Sequence, residues 1–191
     1  MKPLGDCPTV DIVIFGVSNG ENITSVLDSL NNSIENVIST TTIETEKLTL
    51  QELGLVLKGG VGNLICLFSA SMEVLRLDWH SALSHFDDED CFAVTGACLH
   101  HDATLLDYES LEPIKNLRAE QTTAFNFCMD FCLIKRDATI RYKIESNDFN
   151  LNKWARSIVQ QGLHFMYDPK SVVAKASQPN PTIHVDDDLG S

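Results

Sequence analysis

The chain alternates short β-branched apolar runs with longer stretches of helical spacing. Val10 to Val17 (VDIVIFGV) reads as a buried strand. It stops at Ser18-Asn19-Gly20, a turn signal, and Ile23, Val26, Leu27 and Leu30 then share one helical face within Glu21–Asn31. Asn22 or Ser18 stands where a helix cap belongs. Asn36 to Ile43, rich in Thr and Ile, predicts a second strand. Leu50, Leu53 and Leu57 predict a second helix, with Thr49 and Glu52 in capping-box spacing and Gly59-Gly60 closing it. Leu64 to Phe68 is an unbroken apolar run, short enough to be a strand buried on both faces. It halts at three small residues, Ser69-Ala70-Ser71. The order β-α-β-α-β with short connections predicts parallel strands and right-handed crossovers.

Helical spacing resumes through Trp79, Leu83 and Phe86, and Asp87-Asp88-Glu89-Asp90 reads as a solvated acidic turn. Cys91 to Cys98 predicts a fourth strand. His100 to Gln121, with Pro113 and mixed charge, reads as an excursion, and Ala124 to Lys135 as a fifth strand or two short ones. Lys153 to Gln161 predicts a helix closed by Gly162, and Leu163 to Tyr167 a last strand ending before Asp168-Pro169. The expected organisation is one α/β domain over residues 1–176, with an acidic, Pro-containing tail over 177–191. Its central sheet is expected to be mostly parallel and flanked by helices. In such a sheet ligands sit outside the carboxyl ends of the strands, which makes Ser69-Ala70-Ser71 the first place to look for one.

Charge narrows the partners. A net charge of -13 and a pI near 4.7 repel phosphate backbones and anionic lipid, so nucleic acid is not an expected partner. No apolar run is long enough to span a bilayer, and MKPLGDCP lacks the apolar centre of a signal peptide. The six cysteines sit mostly in apolar surroundings and read as buried thiols of a cytoplasmic protein. His100-His101 beside Cys98 and Asp102 would point to opposite faces of a strand, a poor arrangement for zinc. No Gly-x-Ser-x-Gly elbow is present, and Gly59-Gly60-Val61-Gly62 precedes a strand instead of opening a helix, as a phosphate loop would.

Four stretches carry a resemblance that spans roughly Val10 to Ala176. DIVIFGVSNGENITSVLDSL is similar to the opening strand and helix of family-2 type glycosyltransferases with the GT-A fold, a Rossmann-like α/β domain. GNLICLFSASMEV resembles the strand that leads to their metal-binding Asp-x-Asp, and DWHSALSHF, with Trp79, resembles the helix after it. FNFCMDFCLIKRDA followed by NDFNLNKWARSIVQQGLHFMYDP resembles their C-terminal half. The resemblance implies transfer of a sugar from a nucleotide-sugar donor to the hydroxyl of a glycan or lipid-linked acceptor, with inversion, as in a hexosyltransferase. In those enzymes the second carboxylate of a Glu-Asp pair is the general base, and Asn147-Asp148 stands at that position, so Asp148 is the candidate base. Its alternative role is to cap the following helix.

The donor-binding candidates on matching positions are Ser18, Asn19, Glu44, Ser69 and Ser71. The family's Mn or Mg ion is implied only weakly. Ser69 and Ser71 replace the two aspartates, and hydroxyls are poor primary ligands for a hard cation, so no residue is assigned to a metal. Glu73 and Asp78 are carboxylates nearby but without the family's spacing. Lys135 and Arg136 could offset leaving-group charge if they face the cleft, or stand solvated at a strand end. The replacement of Asp-x-Asp leaves a second reading open: a non-catalytic glycosyltransferase-like domain that binds a glycan or a protein.

Overall fold

The computed structural model describes residues 4, 8–17, 23–44, 54, 56, 59–99, 122–123, 130–141, 154 and 157–175. Three strands open the fold: β1 (Val10–Phe15), β2 (Val37–Ile43) and β3 (Leu64–Ser69). β1 pairs in parallel with both of the others, in the order β2-β1-β3, and the parallel sense is the one the first half of the chain predicts. Between β1 and β2 runs helix α1 (Thr24–Ser33). Ile23, not Ser18 or Asn22, occupies its cap position, and no side chain caps it. The chain turns into β2 at Asn36, whose φ of 57° lies in the left-handed region that asparagine tolerates. Gly54, Val56 and Gly59 are helical, and the Gly60 N–H donates to the Val56 carbonyl at 3.2 Å.

Beyond β3 the sheet is mixed, which corrects the expectation of a mostly parallel one. β4 (Met72–Arg76), β5 (Cys91–Leu99), β6 (Thr122–Thr123), β7 (Phe131–Lys135) and β8 (His164–Lys175) complete eight strands among the described residues. The order is β2-β1-β3-β7-β5-β8-β4, with β6 on β8. β7 runs antiparallel to β3 and β5, and β4 antiparallel to β8. An apolar run does not disclose its direction, because a strand buried on both faces looks the same in either sense. Helix α2 (Trp79–Ser84) continues into a 3-10 turn (His85–Asp87), and α3 (Arg136–Arg141) follows β7 directly.

Two elements depart from the apolar pattern. β4 is a strand that periodicity does not announce, since it is half exposed and carries Glu73 and Arg76. β8 does not end at Tyr167 but continues through Asp168-Pro169 to Lys175. Against β5 it shifts register between Gly96↔Asp168 and Ala97↔Val172, so Pro169, Lys170 and Ser171 form a bulge. The buried Asp168 carboxylate accepts from Ser171 Oγ at 2.6 Å, Ser81 Oγ at 3.1 Å and the Lys170 N–H at 3.2 Å. Arg76 donates to the carbonyls of Lys170 and Pro169 at 2.8 and 3.0 Å. The proline thus sits where its missing N–H breaks no ladder bond.

Two apolar layers sandwich the sheet. On one face Ile12, Ile14, Cys66 and Phe68 pack with Leu30 and Ile34 of the α1 region and with Trp79, Ala82 and Phe86. On the other, Val13, Phe15, Ile65 and Leu67 pack with Ala138, Trp154, Ile158 and Leu163. Phe92 meets Trp154 and Phe165 edge-on, with centroids 5.9 Å apart in both pairs. Gly162, with φ of +92°, closes the last helical segment as its sequence position predicts. Among the described residues no helix is long and apolar enough to cross a membrane. The tail at 177–191 lies outside the described residues.

Candidate functional site

The carboxyl ends of the three opening strands finish flush. Phe15 is level with Ile43 of β2 on one side and with Ser69 of β3 on the other. The chain leaves β1 toward β2 and returns to place β3 on the opposite side, so the switch point of the topology lies between β1 and β3. A crevice outside the carboxyl ends of the strands at such a point is where open α/β sheets take ligands. Gly16 follows β1 at this point with φ of +77°, a conformation that a side chain would strain.

Ser69-Ala70-Ser71 forms the tight connection from β3 to β4. The Ala70 N–H donates to the Phe15 carbonyl at 2.8 Å and the Ser69 N–H to the Asp130 carbonyl at 2.9 Å, so the turn is pinned from both sides. The Ser69 hydroxyl is buried and lies 2.8 Å from the exposed Ser71 hydroxyl, and it accepts the Ser71 N–H at 3.4 Å. Of the two hydroxyl protons, one serves this mutual bond and the other is available to a ligand. Glu44 follows β2 at the same edge and is exposed. The structure therefore gathers Ser69, Ser71 and Glu44 along one edge of the sheet. Ser18, Asn19 and Asp148 lie outside the described residues.

Two neighbouring carboxylates have other positions. Asp78 caps α2, accepting the Ser81 N–H at 2.9 Å, a role its place before an apolar helical face could have disclosed. Glu73 is exposed on β4, opposite Ala174.

Lys135 and Arg136 do not face this edge. Lys135 is level with Leu64, at the amino end of β3, about 17 Å along the strand from Ser69. Both are buried, so neither is a solvated strand-end charge. Lys135 Nζ donates to the Asp88 and Phe86 carbonyls at 3.3 and 3.5 Å, and burial holds its pKa below the usual lysine range. Arg136 forms a buried ion pair with Asp11 of β1 and donates through Nε to the Gly62 carbonyl at 2.6 Å. Asp11 also accepts from Ser39 Oγ and, at 2.8 Å, from the Gly62 N–H. A Cβ on Gly62 would come within 2.8 Å of the Asp11 nitrogen, a close approach that explains the glycine. A cavity of 260 Å³ opens beside this cluster, lined by Leu4, Val61 and Ile140 as well as by Lys135 and Arg136. Its cations are committed to protein partners, and it lies at the wrong end of the sheet for the switch-point crevice.

No protein-family profile matches the chain, and no curated protein matches it. Solved structures do. The mannosyltransferase PcManGT from Pyrobaculum calidifontis, in complex with GDP-Man and Mn²⁺, superposes with a TM-score of 0.59 at 15% identity, over 95% of this chain and 61% of its own. GalNAc-T7, solved with UDP, GalNAc and Mn²⁺, gives 0.57 at 14% identity over 92% of this chain and 45% of its own. A197 from STIV gives 0.57 at 10% identity over 84% and 81%. The fold is therefore GT-A-like, the α/β architecture of glycosyltransferases. The chain spans about half the length of GalNAc-T7 and three fifths of the mannosyltransferase.

The Mn²⁺ held in those two complexes does not fit the turn described here. The turn offers two hydroxyls bonded to each other, poor primary ligands for a hard cation, and among the described residues no three His, Cys, Asp or Glu side chains converge.

Proposed function

We propose that this chain is a nucleotide-sugar-dependent glycosyltransferase domain. The observation that carries the reading is the Ser69–Ser71 turn at the β1/β3 switch point of a GT-A-like sheet. A diphosphate there would meet the one hydroxyl proton that the Ser69–Ser71 pair leaves over, with Ser18, Asn19 and Glu44 reaching the base and ribose. Asp148 is the proposed general base, deprotonating the acceptor hydroxyl as it attacks the anomeric carbon with inversion. The acceptor class is a glycan or lipid-linked hydroxyl. A cytoplasmic setting suits the buried thiols of Cys66 and Cys91, whose titration burial pushes up to about 12.

A thermal-shift panel of UDP-, GDP- and dTDP-sugars tests this reading. A ligand that binds only the folded chain raises the melting temperature by mass action. The expected result is a nucleotide-specific rise. Asp148→Asn should keep that rise and lose turnover by about a hundredfold or more. No shift with any donor, on folded protein, would sink the enzyme reading. It would favour the second one, a non-catalytic domain of the same fold, for which the missing carboxylates at Ser69 and Ser71 speak.

A further inference from the structure

We infer that β2 is a dimerisation strand, along which two copies of this chain pair antiparallel about a two-fold axis at Thr41 and join their sheets into one. The inference is independent of the donor-binding reading above.

The sheet has two outermost strands, β2 and β4. An outermost strand presents backbone N–H and C=O groups that lack a partner, and proteins blunt such edges with charge, brevity or a break in register. β4 has all three: five residues, Glu73 and Arg76 among them, and a register break between Val74 and Arg76. β2 is longer, and its seven residues, VISTTTI, hold no charge, no proline and no glycine in a chain of net charge -13. Its register break lies at the start, and from Ser39 to Ile43 the pairing with β1 is regular. Ile38 to Thr42 are all exposed although successive side chains alternate between the two faces, so the strand is open on both. Among the described residues no strand pairs with its outer side.

Pairing with β1 fixes which groups are left over. The Ile43 carbonyl accepts the Val17 N–H at 3.3 Å, so Ile43 turns its backbone groups toward β1. These groups alternate sides along a strand, so Ser39 and Thr41 face β1 as well, while Thr40 and Thr42 point their N–H and C=O outward. Only an extended backbone answers that spacing, and a second β2 does so by symmetry. With Thr41 on the axis, Thr40 stands opposite the partner's Thr42 and exchanges both bonds with it, and Thr42 does the same with the partner's Thr40. Thr41 meets its own copy in the close, non-hydrogen-bonded position, where threonine pairs are favourable. Glu44, exposed just after β2, falls opposite the partner's Ile38. It stands about 20 Å along the strand from the partner's Glu44, outside the roughly 10 Å reach of exposed charges at ordinary ionic strength. A parallel pairing would instead stack the two carboxylates. The contact uses one patch on both copies and closes at two.

Sedimentation equilibrium of the full chain reads the mass across a wide range of concentration. The mass should rise from 21.2 kDa toward twice that value. Thr41→Lys should hold it at the monomer throughout, because two ammonium groups would meet on the axis, and should leave the melting curve unchanged, because residue 41 is exposed. The substitution also lowers the net negative charge of the chain, so overall repulsion would act in the other direction. Under oxidation Thr41→Cys should cross-link as a dimer, since opposed Cα atoms about 4.5 Å apart suit a disulfide. Thr42→Cys should not, because its own copy lies beyond bridging distance; the wild type, with its six cysteines, is the control. A wild-type mass of 21.2 kDa at every concentration would overturn the inference and leave the strand to an extended segment of another protein. So would a dimer that survives Thr41→Lys, a mass that grows past two copies, or equal cross-linking at positions 41 and 42.

Discussion

The two ends of the central sheet use charge in opposite ways. At the amino end, Asp11 and Arg136 are buried, paired with each other and wrapped by the backbone of Gly62. At the carboxyl end, Ser71, Glu44 and Lys175 are exposed, and the Ser69–Ser71 pair keeps one hydroxyl proton to offer. Buried ionic groups left alone cost several kcal/mol each, so the amino end must satisfy itself in the folded chain. Exposed hydroxyls and an ammonium carry little such penalty. One end ties strands together and the other leaves its polar groups exposed.

The sharpest way to break this contrast is at the amino end. Asp11→Ala or Arg136→Met alone should destabilise the fold by about 3–5 kcal/mol, read by urea unfolding, because each leaves an uncompensated buried charge. Replacing both by apolar residues should recover much of the loss. Equal costs for the single and paired changes would show that the pair is not the tie. Gly62→Ala should cost about 1–3 kcal/mol in the same measurement, since the added Cβ meets the β1 backbone.

The bulge between the two ends contributes an acid-sensitive joint. Burial pushes the Asp168 pKa up, but the His85 imidazole 3.8 Å away, Ser171 Oγ, the Lys170 N–H and Ser81 Oγ outweigh it and hold it below the usual 3.8. The folded state therefore favours the carboxylate. Its contribution is present above the unfolded value and is lost as pH falls from there through the folded one. Asp168→Asn should lower stability at neutral pH and flatten the decline below about pH 4. A decline of unchanged slope in the variant would remove Asp168 from the account.

The carboxyl end should give the smallest stability effects. Ser69→Ala and Ser71→Ala should each cost no more than about 1.5 kcal/mol, the net value of one hydrogen bond, while weakening donor binding in calorimetry. Losses as large as those at Asp11 would mean that the turn is built for stability alone. Installing Ser69→Asp and Ser71→Asp together should make donor binding depend on Mn²⁺, because carboxylates suit a hard cation.

Local pattern and long-range pairing divide the credit for what could be read. The apolar runs at Val10–Phe15 and Leu64–Ser69, the helical face of α1 and the closing Gly162 were legible because each is governed by neighbours within a few residues. So was the end of β3 at Ser69, where the apolar run stops. The direction of β7, the strand β4 and the continuation of β8 through Pro169 were not legible, because they depend on which distant strand pairs with which.

The same division decides the charges. The sequence alone determined that Lys135 and Arg136 follow an apolar strand, but only the antiparallel pairing of β7 carried them to the far end of the sheet and into contact with Asp11. β2 follows the same rule. That Val37–Ile43 carries no charge is plain in the sequence, but only the order of strand pairing puts the run at an edge of the sheet. Periodicity acts along the chain, whereas charge acts through space, and tertiary structure is what converts one into the other.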